Sequence, residues 1–327
     1  MKFQKSGYHG LYFSELNIAM DSYHPDAEYI FVSHAHADHM PRNRHSKAYA
    51  TNPTLELMVR RGFKGETNAM KFQETLQTDR FSATLYPAGH ILGSAMIYIE
   101  TPGKTLLYTG DYRTPPSPAT EGFRAPESVD ILITEATFAL PIYRWKSHEE
   151  LAEEIRKFAT DCLNNEYTPV FLGYNLGKAQ EIMHMLAPLE HPVQIHGAGY
   201  KLCDVYDKYG IDLGNYEPYD RDTCEGKILI APSSAISSGF ASNVSRKKIA
   251  YCSGWAANES RRTQLTADKL IPLSDHLDFF ELIDFCKKLS PKKVYITHTP
   301  NPNVAKHYLD NLEIENRFLD FEMEAED

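Results

Sequence analysis

No stretch of this chain comes near the ~18 consecutive apolar residues that a bilayer-spanning helix needs, so no membrane partner is expected. The opening Met1-Lys2-Phe3-Gln4-Lys5 lacks the apolar core of a secretory signal. Cysteine is sparse. Cys162, Cys203, Cys224, Cys252 and Cys286 are odd in number and form no CxxC pair. That argues against a disulfide framework and a thiolate metal site, and places reduced thiols in the cytoplasm. No repeat and no low-complexity linker is present. Positive charge is also short: 34 Lys and Arg against 44 Asp and Glu leave a net charge of -10. Residues 313–327 hold seven of the acids and one Arg, so -6 falls there and -4 on the rest. A broad basic surface for nucleic acid is thereby weakened, though a local one is not excluded. The 327 residues allow one large domain or two modest ones with ample core.

What the chain does have is histidine in one place. Ser33-His34-Ala35-His36-Ala37-Asp38-His39 follows the apolar run Tyr29-Ile30-Phe31-Val32, which reads as a buried strand. Three imidazoles and a carboxylate so close together disfavour protons and invite a divalent cation, Zn²⁺ or Mn²⁺ by ligand type. Alternate residues of a tight loop can face two adjacent metals. Upstream, Asp21 ends the strand Ile18-Ala19-Met20 and either orients a ligand or caps a turn. Downstream, Arg42, Arg44, His45 and Lys47 either border the metal mouth or form a solvated basic loop.

The pattern of an apolar strand followed by one polar residue recurs. Ala83 to Pro87 leads to His90 within Gly89-His90-Ile91-Leu92-Gly93-Ser94; Thr105 to Thr109 leads to Asp111; Val129 to Thr134 leads to Glu135. Sites in layered α/β folds gather at such strand ends. Ser147 and Glu150 form a capping box for a helix burying Leu151, Ile155, Phe158 and Cys162. Three strand–helix units then suggest a small parallel sheet inserted into the first pattern. The helices expected there span 178–186 and 200–209. The chain returns with the strand Ile249 to Cys252, then Ser274-Asp275-His276. A second capping box, Asp278 and Glu281, opens a helix with Leu282, Phe285 and Leu289 inward. The strand Lys293 to Thr297 ends at His298, and the acidic tail after Leu312 reads as a frayed end.

Together, HxHxDH, Thr134-Glu135-Ala136-Thr137-Phe138, Ser274-Asp275-His276 and Thr297-His298-Thr299-Pro300 resemble the β-CASP group of the metallo-β-lactamase superfamily, whose members act on nucleic acids. Gly177-Lys178-Ala179-Gln180-Glu181 is similar to that group's GRAQE helix start. With Pro141-Ile142-Tyr143-Arg144-Trp145, the match is nearest the bacterial ligase-associated DNA exonucleases, labelled mRNA 3′-end processing factors by analogy. It covers nearly the whole chain except the tail. The resemblance implies an αββα sandwich of the α/β class over 1–144 and 247–327, with an inserted small β-CASP-like α/β domain over 145–246. It implies that His34, His36 and His90 hold one divalent metal and Asp38, His39 and His298 another, bridged by Asp111, with zinc favoured over manganese. Asp38, His276 and Glu135 form the implied catalytic set, His276 being the general acid that Glu135 orients.

The expected function is a metal-dependent DNA exonuclease, 5′ to 3′, acting on free, single-stranded ends in repair. Functional association with an ATP-dependent DNA ligase and a helicase is expected with it. Lys178, Ser233 and Ser234 are the expected phosphate-binding residues, since a helix start offers free N–H groups. The alternative is a β-CASP ribonuclease processing RNA ends, because RNA-processing members carry a His at the position of His298. A small-molecule hydrolase leaves Glu135, His276, His298 and the insertion unexplained. A non-catalytic scaffold is opposed by the full ligand set.

Overall fold

A computed structural model describes residues 2–7, 10–299 and 301–319. The chain divides into two compact units, Met1–Pro116 with Thr120–Arg144 and His276–Asp327, and Ser117–Ala119 with Trp145–Asp275.

The first unit begins with a six-stranded sheet whose spatial order follows the chain: β1 (Gln4–Ser6), β2 (Gly10–Phe13), β3 (Ile18–Met20), β4 (Tyr29–Phe31), β5 (Lys47–Thr51) and β6 (Glu66–Met70). Pairing is antiparallel through β1, β2 and β3, then parallel from β3 to β6. Helix α1 (Asn52–Arg60) starts where Thr51 accepts from Thr54 N–H and Pro53 follows, and it buries Leu55, Leu57 and Met58. A meander follows: β7 (Thr75–Gln77), β8 (Ser82–Pro87), β9 (Ala95–Thr101) and β10 (Lys104–Tyr108), continued in parallel by β11 (Ile131–Glu135).

The second unit interleaves helices α2 (His148–Asn164), α3 (Lys178–Leu186), α4 (Gly197–Lys208), α5 (Ser234–Ser237) and α6 (Ser260–Leu265) with six strands. These are β12 (Thr168–Leu172), β13 (Val193–Ile195), β14 (Tyr216–Pro218), β15 (Ile228–Ala231), β16 (Lys247–Cys252) and β17 (Lys269–Ile271). Its sheet is parallel throughout, in the order β14-β13-β15-β12-β16-β17. The expected boundary at 246/247 therefore moves to 275/276. Lys247–Cys252 pairs with β12 over five residues, and so completes the inserted sheet rather than rejoining the first unit.

The chain ends with α7 (Phe279–Leu289), β18 (Lys293–Thr297), α8 (Pro302–Asp310) and β19 (Glu315–Phe318). The second sheet of the first unit is thus β19-β18-β11-β10-β9-β8-β7. One core cluster joins Phe13, Ile18, Met20 and Phe31 of the first sheet to Leu85, Ile97, Leu106 and Ile133 of the second. A second cluster joins the opposite face, Met96, Leu107, Leu132 and Val294, to Leu282, Phe285 and Leu309. With α1 on the outer side of the first sheet, the layers are αββα, and the chain has the metallo-β-lactamase α/β architecture.

Local differences have local causes. Helix α4 starts three residues before the expected Tyr200 because the His196 ring accepts from Ala198 N–H at 3.3 Å, an uncommon cap. Along α2, Ala159 is buried where Phe158 was expected; Phe158 is half-buried against Phe171. The tail is not wholly frayed. Glu315–Phe318 pairs in parallel with β18, while residues 320–327 lie outside the described residues. Among the described residues, no helix is long and apolar enough to cross a membrane.

Candidate metal centre

Register explains why the polar residues converge. Tyr108, Ile133 and Tyr295 stand level across β10, β11 and β18. The residues just beyond, Asp111, Glu135 and His298, therefore emerge along one sheet edge. The loop after β4 reaches the same edge, because Ser33 O accepts from Ala95 N–H at 2.8 Å. Gly110 makes that approach possible: its φ is +53°, and a β-carbon there would meet Ser33 Cβ at 2.5 Å.

One ligand atom each from His34, His36, His90 and Asp111 lie within 4.8 Å of one another. His36 Nδ1 is 3.1 Å from both His34 Nε2 and His90 Nε2. Asp111 Oδ2 is 3.6 Å from His34 Nε2 and 3.5 Å from His39 Nε2. Three imidazole nitrogens and a carboxylate aimed at one point form the donor set of a Zn²⁺ or Mn²⁺ site, so the residues fit a divalent cation. The second set is looser. Asp38, half-exposed, has Oδ2 4.0 Å from His39 Nε2, and the rings of His39 and His298 are 6.0 Å apart.

Burial holds His34 well below the ordinary imidazole value, and the neighbouring histidines add to this, so it presents a lone pair. Burial opposes the His39 cation too, but Asp111 and Asp21 outweigh it and raise that ring to about 10. Burial raises Asp111 to about 7 against the pull of His39.

Of the two roles open to Asp21, the structure gives it the orienting one. Asp21 is 2% exposed, and Oδ2 lies 2.8 Å from His39 Nδ1. Ser33 Oγ donates to the same oxygen at 2.6 Å and Tyr108 Oη at 2.9 Å, while Ser33 N–H donates to Oδ1 at 2.7 Å. Ser33 Oγ is also 3.0 Å from His34 Nδ1. Ser33 and Tyr108 escape sequence reading, since a lone Ser or Tyr carries no spacing signal. Around His90, Ser94 Oγ accepts from the N–H groups of His90 at 3.1 Å and Ile91 at 3.2 Å.

His276 stands beside this cluster, its ring centroid 4.8 Å from that of His90. His276 Nδ1 is 2.7 Å from Glu135 Oε1. That oxygen also accepts from Tyr112 N–H at 3.2 Å, and Oε2 accepts from the Thr137 hydroxyl. With Glu135 Oε1 as the acceptor, His276 Nδ1 is the protonated nitrogen, leaving Nε2 for proton transfer.

No family model matches the chain. A protein from Opitutus terrae named "Probable DNA ligase" is 32% identical over 293 residues, 89% of this chain and 28% of that protein. An RNase J-like protein from Methanocaldococcus jannaschii is 31% identical over 179 residues, 47% of this chain and 42% of that one. The chain therefore spans under half the length of these relatives. The chain belongs to the β-CASP group of the metallo-β-lactamase superfamily. A crystal structure of a protein of unknown function from Enterococcus faecalis shares the fold, with TM-score 0.64 at 14% identity over 90% of this chain and 79% of that one.

In the inserted β-CASP unit, the residues expected to bind phosphate part company. Lys178 is 2% exposed, and its ammonium is ion-paired with Asp275. That burial and pairing run against the exposed phosphate contact expected of Lys178. Ser233 is half-buried and Ser234 exposed at the start of the short α5. Gly177, at φ +88°, and Gln180, which accepts from Gly177 N–H at 2.9 Å, close the start of α3.

Proposed function

We propose that this β-CASP chain is a metal-dependent phosphodiesterase that digests DNA from a free single-stranded end, 5′ to 3′. The observation that carries the phosphodiesterase reading is the His276–Glu135 pair, at 2.7 Å, beside the His34, His36, His90 and Asp111 cluster. His34, His36, His90 and Asp111 would hold one divalent cation; His39, Asp38 and His298 would help hold a second. Such cations supply Lewis-acid charge for the phosphodiester and lower the pKa of water.

The chain's own residues supply the rest. Glu135 fixes the His276 tautomer through Nδ1 and stabilises the imidazolium. His276 Nε2 then gives its proton to the leaving oxygen. Asp21 keeps the His39 ring turned so that Nε2 faces Asp111. Ser233 and Ser234 remain the proposed hydroxyl donors to a terminal phosphate.

The likeness to a protein named as a DNA ligase supports a DNA substrate and a functional link to an ATP-dependent ligase and a helicase. The likeness to an RNase J-like protein, with His298 in the last motif, favours the second reading, an RNA-end nuclease. We also place the chain in the cytoplasm, which its five buried free cysteines support. DNA and RNA of matched sequence, labelled at either end and incubated with Zn²⁺, Mn²⁺ or chelator, test all of this. A metal-dependent ladder shortening DNA from its 5′ end is expected. A ladder on RNA alone transfers the assignment to the second reading, and no cleavage of either rejects both.

A further inference from the structure

The basic run after the ligand loop takes no part in the chemistry above. Within the first unit it lines two adjoining cavities. The inner one, about 400 Å³, is bounded by Asp38 at the rim of the cluster and by Tyr23, Arg42 and Asn43. The outer one, about 500 Å³, is bounded by Tyr23 again and by Tyr29, His45 and Lys47. Tyr23 lines both walls, and the two cavities that share it, from Asp38 to Lys47, are together called the trough. Each half has the size of an ordinary ligand site.

The trough has both cationic and aromatic lining. Arg42, His45 and Lys47 are exposed, and Tyr23 is half-buried. The run is held as a turn: Asn43 Oδ1 accepts from His45 N–H at 2.8 Å, and Asn43 O accepts from Ser46 N–H at 3.1 Å. Asp38 lies 4.0 Å from His39, Asp21 is hydrogen-bonded to the same ring, and Glu28 is ion-paired with Arg80. Glu66 stands level with Lys47 across β5 and β6 in the outer wall, where Asn68 donates to it at 3.5 Å.

Cation, aromatic ring and cation in sequence along a trough match the alternation of phosphate and base in a single strand. A duplex keeps its bases stacked on one another and offers Tyr23 no free face. We propose that the trough carries single-stranded polynucleotide to and from the metal centre. Arg42 and Lys47 each meet a phosphate, and an unpaired base lies on Tyr23. This rests on the phosphodiesterase reading, whose scissile strand it holds.

The test is fluorescence anisotropy of a labelled single-stranded oligodeoxynucleotide, its RNA counterpart and a blunt duplex. The protein is metal-loaded and carries His276→Ala to suppress turnover. Arg42→Ala and Lys47→Ala are each expected to weaken single-strand binding several-fold. Each should also flatten the plot of log affinity against log salt by about 0.7, the loss of one phosphate contact. Tyr23→Ala is expected to weaken binding roughly tenfold at unchanged slope, with Tyr23→Phe restoring it. Lys104→Ala, on a turn distant in sequence, serves as the control and should change neither quantity.

Wild-type slopes in both cation variants, or Tyr23→Phe as weak as Tyr23→Ala, overturn the trough. So does a duplex bound as tightly as the single strand. The DNA and RNA arms tell which sugar it accepts. If the unmutated protein binds with these dependences yet cuts nothing, the phosphodiesterase reading fails and the trough stands. If it cuts, but the variants keep its slope and KM, the trough fails and that reading stands.

Discussion

Asp21 Oδ2 lies 2.8 Å from His39 Nδ1, and both side chains are almost fully buried. The carboxylate accepts from Nδ1–H, so Nε2, which faces Asp111, is the nitrogen that would give up its proton to a bound cation. Asp21→Asn puts an amide where the acceptor was and allows the other tautomer. Metal affinity is expected to fall roughly 10- to 100-fold, as for loss of a ligand's orienting partner. Competition with a chelator of known affinity measures it. A variant that binds metal as tightly as the parent removes Asp21 from the site.

His276→Ala is expected to slow the chemical step by roughly 10²–10⁴-fold, the range for a lost general acid. Glu135→Gln should slow it less, because the amide still offers a carbonyl oxygen to Nδ1 but not the charge that favours the imidazolium. Neither change should release the metal held by His34, His36, His90 and Asp111, since that cluster contains neither residue; both stand with Asp111 in a second group able to hold a cation. Elemental analysis beside single-turnover kinetics checks both statements. Loss of a metal ion from the Ala variant would make His276 a ligand and end its assignment as the acid.

Lys178 and Asp275 form a buried pair in the inserted unit, with side-chain exposures of 2% and 9%. Removing the cation leaves a buried carboxylate without it, which costs about 3–5 kcal/mol in comparable pairs. Lys178→Met should therefore lower the midpoint of urea unfolding markedly, and adding Asp275→Leu should recover much of the loss. Because the pair is structural, both variants should treat 5′-phosphorylated and 5′-hydroxyl DNA alike. A single variant of full stability but selectively poor on 5′-phosphate would return Lys178 to phosphate binding.

The loops that bring the candidate cluster together were legible because each announces itself locally. A buried strand stops, and a histidine or carboxylate follows at once, as at His34, His90, Asp111 and His298. The capping boxes at Ser147 and Asp278 are equally local, and both bond pairs are present. What was not legible depends on pairing across long separations. Ile249 to Cys252 has the same apolar pattern whichever sheet it joins, and only its register against Thr168–Leu172 assigns it to the inserted unit. Tyr108 reaches Asp21 across 87 residues, and Ser33 reaches it across 12. Lys178 looked like a phosphate-binding cation at a helix start because nothing near it in sequence announces Asp275. The short strand Glu315–Phe318 is hidden by its acidic surroundings and exists through its pairing with β18.

Glu281 gives a stability signature that varies with pH. It sits in the first turn of α7, where Oε2 accepts from Asp278 N–H at 2.9 Å. Burial raises its carboxyl to about 7, with the Asp278 charge adding to the shift and the Asp278 N–H and Arg113 opposing it. A carboxyl whose folded value exceeds its unfolded value, near 4.3, binds its proton more tightly when folded. Its contribution is thus fully present below the unfolded value and is lost as pH rises through about 7. Glu281→Gln keeps a carbonyl to accept from Asp278 N–H but cannot ionise. The variant should therefore melt higher than the parent above neutrality, with the gap closing as pH falls through the window. The measure is the difference in Tm between variant and parent at each pH, in one metal condition, so that the titration of the metal centre cancels. A gap that stays constant with pH, or that widens toward acid, would mean Glu281 is ionised throughout and its elevated value is wrong.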